Sequence, residues 1–191
     1  MTETQIKKAI DNIIIIIDGR EKDKYIRETF DKYGIKYEIQ SLKSGDFSFR
    51  IPKIEGILED IDFRNEIAIE RKNSLSEISQ NLTRHKERFK KEFERTNAKI
   101  IIMIEDSYKN GAYGNYDSKI EPKSLLGLLH SWEFKYDTNI VYVDKEVAPL
   151  YIYNCFKYFL RHKLKGLKTN WKIKKINWIN SWQSKLNYGN I

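Results

Sequence analysis

Five consecutive isoleucines, Ile13 to Ile17, run straight into Asp18-Gly19. A short β-branched run with no polar break reads as a strand buried in the centre of a sheet, because alternate side chains on both faces are apolar. Ile67–Arg71 and Lys99–Ile104 have the same character. Ile35 to Leu42, with Ile35, Tyr37 and Ile39 alternating, and Gly45 to Ile51, with Phe47, Phe49 and Ile51 alternating, read as further strands. Ile140–Val143 reads as the last strand. Helical spacing appears over Lys22 to Tyr33, closed by Gly34, and over a segment from Ser74 through Ile78 and Leu82. It appears again over His85 to Thr96, Pro122 to Phe134 and Val147 to Leu164. Pro52 to Asn65 and Tyr108 to Asp117 read as connections. The order β-α-β-β-β-α-α-β-α-β-α predicts an α/β fold with a mixed sheet.

Chemistry concentrates where two of these strands meet charge. On a strand, residues two apart share a face, so Glu70 and Lys72 point one way while Ile67, Ile69 and the Arg71 stem point the other. Asp46 lies on the polar face of its own strand, with Ser48 and Arg50. Two carboxylates and a lysine at one spot suit metal-dependent phosphodiester cleavage. The carboxylates offer oxygen ligands to a hard cation such as Mg2+, and the lysine offers a charge to the phosphate. The same Glu and Lys also fit a solvated face with a weak ion pair.

The motifs resemble those of the XPF-type structure-specific endonucleases, a branch of the PD-(D/E)XK nuclease superfamily. That family's signature is G-D, a spacer, then E-R-K-x-x-x-D. Here Gly45-Asp46 is followed by Glu70-Arg71-Lys72, with Ser76 at the final acidic position and Glu77 after it. An acidic D-x-R-E element ends the first strand as Asp18-Gly19-Arg20-Glu21, and a basic helix opens as Arg84-His85-Lys86-Glu87-Arg88-Phe89. The resemblance covers about residues 10–165. It implies a restriction-endonuclease-like three-layer fold, a central mixed β-sheet flanked by helices. The family usually adds a tandem helix-hairpin-helix domain; here a standalone nuclease domain without one is expected. It also implies Asp46, Glu70, Glu21 and Asp18 as acids around Mg2+ (or Mn2+), with Lys72 catalytic. Arg20 and Arg71 are candidates for holding phosphate or for pairing with those acids. Arg84, Arg88 and Lys91 are candidate phosphate contacts on the flanking helix. Family members act as dimers, which implies a homodimer, or a heterodimer with a partner supplying DNA binding, through Pro122 to Lys165.

Charge is distributed unevenly. The net charge is +8, yet the last acid is Glu146, and nine bases follow it. Gly166 marks a boundary between a nuclease-like domain over 1–165 and a basic, Trp-rich extension over 166–191. Trp171, Trp178 and Trp182 fall on one face of a helix there, among Lys172, Lys174 and Lys175. Such a segment suits DNA, with lysines on the backbone and tryptophans on unpaired bases. Packing on the domain or on a second subunit is the other use of those tryptophans. A single cysteine, Cys155, excludes a disulfide framework. The longest apolar run is far short of a membrane span, and the polar start lacks a signal peptide's pattern, so a cytoplasmic setting is expected.

The expected function is therefore a Mg2+-dependent endonuclease on branched, flap or single-strand-bearing DNA, in repair, recombination or replication. Its composition, rich in Ile, Lys and Asn, suits a phage-type genome. The alternatives are a non-catalytic DNA-binding or recruiting subunit, and a structural protein whose tail binds nucleic acid non-specifically.

Overall fold

The computed structural model describes residues 1–166; the Trp/Lys segment beyond, including Lys172, Lys174 and Lys175, lies outside the described residues. The chain opens with α1 (Glu3–Ile10), then β1 (Ile14–Asp18), α2 (Lys24–Tyr33), β2 (Tyr37–Gln40), β3 (Phe47–Ile51) and a short β4 (Ile61–Asp62). It continues with β5 (Ile67–Lys72), α3 (Leu75–Leu82), α4 (Lys86–Glu94), β6 (Lys99–Ile104), α5 (Tyr108–Tyr113), α6 (Pro122–Tyr136) and β7 (Asn139–Tyr142). A 3-10 turn, Lys145–Val147, leads into a final helix, α7, over 148–166.

The strands form one mixed sheet in the order β2-β1-β3-β5-β6-β7, with β4 on β3. β1 runs parallel to β2, and β5, β6 and β7 run parallel to one another. β3 is antiparallel to both β1 and β5 and joins the two parallel halves. Alternation along β6 divides the core. Ile101 and Met103 join α1, α2 and α7 through Ile6, Phe30, Ile152 and Phe156. Ile100, Ile102 and Ile104 join α3, α4 and α6 through Ile78, Phe89, Leu129 and Trp132. The result is helices on both faces of a mixed sheet, as the strand character of the apolar runs requires.

Two elements depart from the sequence expectation. Residues 3–10 form α1, opened by a capping box in which Thr2 accepts from the Gln5 backbone and Gln5 reaches back to Thr2. Residues 108–113, expected as loop, form α5. Ser107 caps it and Gly114, at φ +75°, ends it. Gly and Asn in that stretch signal a turn, but Asn110 and Gly111 lie within α5 and only Gly114 ends it.

Gly45 is a different case. It sits at φ +75°, and a Cβ there would lie 2.9 Å from Ala68 Cβ and 3.0 Å from the Ile69 carbonyl. Only glycine lets the β3 entry approach β5 this closely. That approach fixes the residue after it, Asp46.

Candidate active site

Register brings the acids together. Phe47 pairs with Ile69 across the antiparallel β3–β5 junction, so Asp46 lies opposite Glu70. On the other side, Ile17 pairs with Phe47, which sets Asp18 opposite Asp46. Backbone bonds seal the rung: Asp18 N–H donates to the Asp46 carbonyl, and Asp46 N–H donates to the Ile69 carbonyl, both at 2.8 Å. The rung lies where β1 ends and β3 begins, at the same end of the sheet as the close of β5.

Asp46 Oδ2 accepts from Arg71 N–H at 2.8 Å, which ties the carboxyl to β5. Its other oxygen has no hydrogen bond among the described residues. Burial, with the Glu70 carboxylate close by, pushes Asp46 well above the usual carboxylate range. Burial raises Glu70 as well, against the pull of Lys72. Lys72 Nζ donates to Glu70 Oε1 at 2.6 Å. Burial works against the Lys72 charge, but Glu70, Glu77 and Asp46 outweigh it and hold the ammonium above its ordinary value. Two carboxylates that resist ionising side by side, beside a lysine that stays charged, form an electrostatically unsatisfied centre. Such centres mark functional sites.

An open cavity of about 220 Å³ exposes this centre. Asp46, Glu70 and Lys72 line it with Arg20 and, from α3 and α4, Glu77, His85, Arg88 and Glu92. Phe89 forms part of the wall, with Lys72 Nζ 5.1 Å from its ring centroid, and stacks on Trp132 at 5.2 Å. An adjoining cavity shares the same centre and extends to Glu21, Asp23 and Arg71.

The remaining candidates take distinct places. Asp18 is 1% exposed; Oδ2 accepts from Leu42 N–H at 2.7 Å, and Oδ1 accepts from Arg20 N–H and Nε at 2.9 and 2.6 Å. Both oxygens serve the turn after β1. Arg71, equally open between phosphate contact and acid partner, takes the second. Its side chain is 2% exposed and bonds Glu105 through Nε and Nη2 at 2.6 and 2.7 Å, and Asp23 at 2.6 Å. Glu21 stands 3.4 Å from Arg71 Nη1 and accepts from Asp23 N–H. Asp46, Glu70, Glu21 and Asp18 are thus not gathered into one cage. Among the described residues no group of three or more His, Cys, Asp or Glu side chains is arranged to hold a metal. Arg88 lines the cavity, while Arg84 and Lys91 are exposed on the α4 side. Ser76 accepts from Asp117 N–H at 2.9 Å.

Two residues at the site escape sequence reasoning: Glu105, and His85 as part of the cavity wall. Glu105 follows β6, and its N–H donates to the Lys72 carbonyl, so only the β5–β6 pairing reveals it. His85 belongs to the wall because α3 and α4 meet in a tight turn there, which no local spacing announces.

The Asp18 geometry carries a testable consequence. Burial pushes its carboxyl up, but the bonds from Arg20 and Leu42 outweigh burial and hold it below the ordinary value. Its contribution to stability is therefore full above the unfolded-state value and is lost as pH falls through the lower folded-state value. Asp18→Asn sets an NH2 against one of these donors and is expected to cost about 1–3 kcal/mol near neutral pH. Urea unfolding should show that gap constant above about pH 5 and narrowing below it.

Residues 17–150, well over half of the chain, match the ERCC4 domain. Among solved structures, XPF from Aeropyrum pernix superposes with a TM-score of 0.56 at 16% identity, covering 76% of this chain and 60% of that one. The same protein in complex with DNA gives a TM-score of 0.54 at 16% identity, covering 80% and 66%. This chain therefore spans less than two thirds of the length of those solved chains, and at this identity the likeness is one of fold. Comparison with curated proteins gives no match. A mixed sheet of this topology between two helical layers, with Gly45-Asp46 and Glu70-Arg71-Lys72 meeting across β3 and β5, agrees with the domain match: the chain belongs to the ERCC4 domain family.

Proposed function

We propose that this protein is a divalent-metal-dependent DNA endonuclease acting on branched, flap or single-strand-bearing DNA. The observation that carries the proposal is the pair Asp46 and Glu70, opposed across one rung, with Lys72 bonded to Glu70 at 2.6 Å in an open cavity.

The donor set fits Mg2+ or Mn2+. Asp46 and Glu70 each keep one oxygen without a hydrogen bond among the described residues, and both are hard carboxylate donors. Magnesium retains several waters, so two protein ligands suffice. Their mutual repulsion is the kind of strain a cation relieves. Bound there, the cation would supply Lewis acidity toward a phosphate oxygen and a more acidic water.

The chain's own groups do the rest. Lys72 presents a fixed positive charge where negative charge grows on the phosphate. Arg20, with a side chain 62% exposed and anchored on Asp18, and Arg88 offer guanidinium forks to flanking phosphates. Arg84 and Lys91 extend that basic wall along α4. Glu21 adds negative field beside Asp46 without joining the pair. The expected products carry a 5′-phosphate and a 3′-hydroxyl.

The XPF relative solved with DNA supports DNA as the partner. Homodimer or heterodimer assembly, a DNA-contacting role for residues 166–191, and work in repair, recombination or replication are parts of the same proposal. No described helix is long and apolar enough to cross a membrane.

Incubation with labelled flap, fork, four-way, nicked and plain duplex DNA, with Mg2+ or with a chelator, tests the proposal. Cleavage that needs Mg2+ and favours a branched substrate is expected. Salt-sensitive binding without cleavage in any metal would leave a DNA-binding subunit instead.

A further inference from the structure

Two neighbouring residues in the first turn of α3 face different ways. Ser76 Oγ accepts from Asp117 N–H at 2.9 Å and ties α3 to the segment ahead of α6. Glu77, about 100° further round the helix, lines the cavity. Its backbone N–H donates to Ser74 Oγ, the N-cap, at 3.2 Å. Its Oε2 accepts from Asn73 N–H and Nδ2 at 2.9 and 3.2 Å. The remaining oxygen, Oε1, stands 3.5 Å from Lys72 Nζ. Glu77 is thus clamped by groups outside the catalytic pair, with one carboxylate oxygen left for the lysine.

Lys72 needs such a partner. Its other carboxylate contact is Glu70, which the proposed function also assigns to the cation. A lysine stem has four rotatable carbons and a compact charge, so an ammonium held by one shared carboxylate is poorly fixed. The Phe89 ring, 5.1 Å from the ammonium, supplies no directional bond.

We propose that Glu77 is the positioning residue for Lys72: it holds the ammonium over the Asp46–Glu70 pair, while Ser76 serves only the fold. This inference rests on the nuclease reading of the site. Glu77→Gln is the informative variant, because the amide oxygen still accepts the Asn73 bonds and the helix start survives.

Two measurements on the full chain test it. In steady-state cleavage of a branched DNA with Mg2+, Glu77→Gln is expected to lower kcat about tenfold or more with KM within about twofold, as loss of a transition-state alignment requires. Ser76→Ala is expected to stay within about twofold in both. In the metal-free protein, the Lys72 Nζ resonance, assigned by its absence in Lys72→Met, is expected to shift and broaden in Glu77→Gln and to stay in place in Ser76→Ala. An unchanged kcat in Glu77→Gln, or an equal fall in Ser76→Ala, overturns the proposal. If the wild type cuts no DNA, the nuclease reading fails and the resonance alone decides the positioning role. A Lys72 signal indifferent to Glu77 then overturns it.

Discussion

Lys72→Met is expected to reduce DNA cleavage by about 10²–10⁴-fold, the range for removing a group that stabilises transition-state charge or assists proton transfer. DNA binding without metal should change by no more than a few-fold, because the exposed Arg20, Arg88, Arg84 and Lys91 remain. The fall should appear in kcat, since Lys72 is held beside Glu70 in the cavity and gains most when charge develops on the phosphate. Methionine approximates the stem's volume and removes both the charge and its contact with the Phe89 ring. Glu70 loses its bonded partner in this variant, which adds a stability cost to the loss of activity. Circular dichroism and a thermal melt check that the fold is retained. A variant that keeps cutting within threefold of wild type would remove Lys72 from the chemistry and leave it a neutraliser of Glu70.

Arg71→Leu is expected to produce the largest loss of stability, about 3–5 kcal/mol, because it strands buried carboxylates. Glu105 is 3% exposed in its side chain and has both oxygens on Arg71. Asp23 loses its 2.6 Å bond and keeps Lys145 at 3.7 Å. Urea unfolding of the single variant, and of Arg71→Leu with Glu105→Met, separates the causes. The double variant should recover much of the loss, since it removes the uncompensated charge as well as the pair. Arg71→Lys should recover less, because an ammonium cannot match the two-point contact with Glu105. A loss below about 1 kcal/mol would mean that the pair behaves like a surface ion pair.

These two residues, neighbours on β5, show what a sequence discloses. Strand alternation alone assigned Glu70 and Lys72 to one face and Arg71 to the other, and the contacts of all three follow that division. The isoleucine run and the apolar strands disclosed the mixed sheet, because burial on both faces leaves no room for polar breaks. The Gly45-Asp46 and Glu70-Arg71-Lys72 motifs disclosed which rung would carry acids. What stayed hidden depends on register and on helix phase. The partner of Arg71 is Glu105, 34 residues away, reached only because β6 lies parallel to β5. Asp18 and Asp46 face each other across β1 and β3, yet two backbone donors and Arg20 hold the Asp18 carboxylate at the turn. No spacing rule reports that. The different directions of Ser76 and Glu77 follow from where Ser74 caps α3, a one-residue matter. α1 was missed for a related reason. Its Thr2–Gln5 capping box and the buried Ile6, Ala9 and Ile10 sit among charged residues that mask a short amphipathic stripe.

The proposed function makes Asp46 and Glu70 the centre at which a DNA strand is cut. The most direct test compares wild type with Asp46→Asn on a 5′-labelled flap DNA in Mg2+, at protein concentrations that give equal DNA binding. Asparagine keeps an oxygen for the Arg71 N–H bond but removes the carboxylate charge. A discrete Mg2+-dependent product ending in a 3′-hydroxyl is expected from the wild type, and none from Asp46→Asn. Equal cleavage by both proteins would contradict it and place the chemistry elsewhere on the chain.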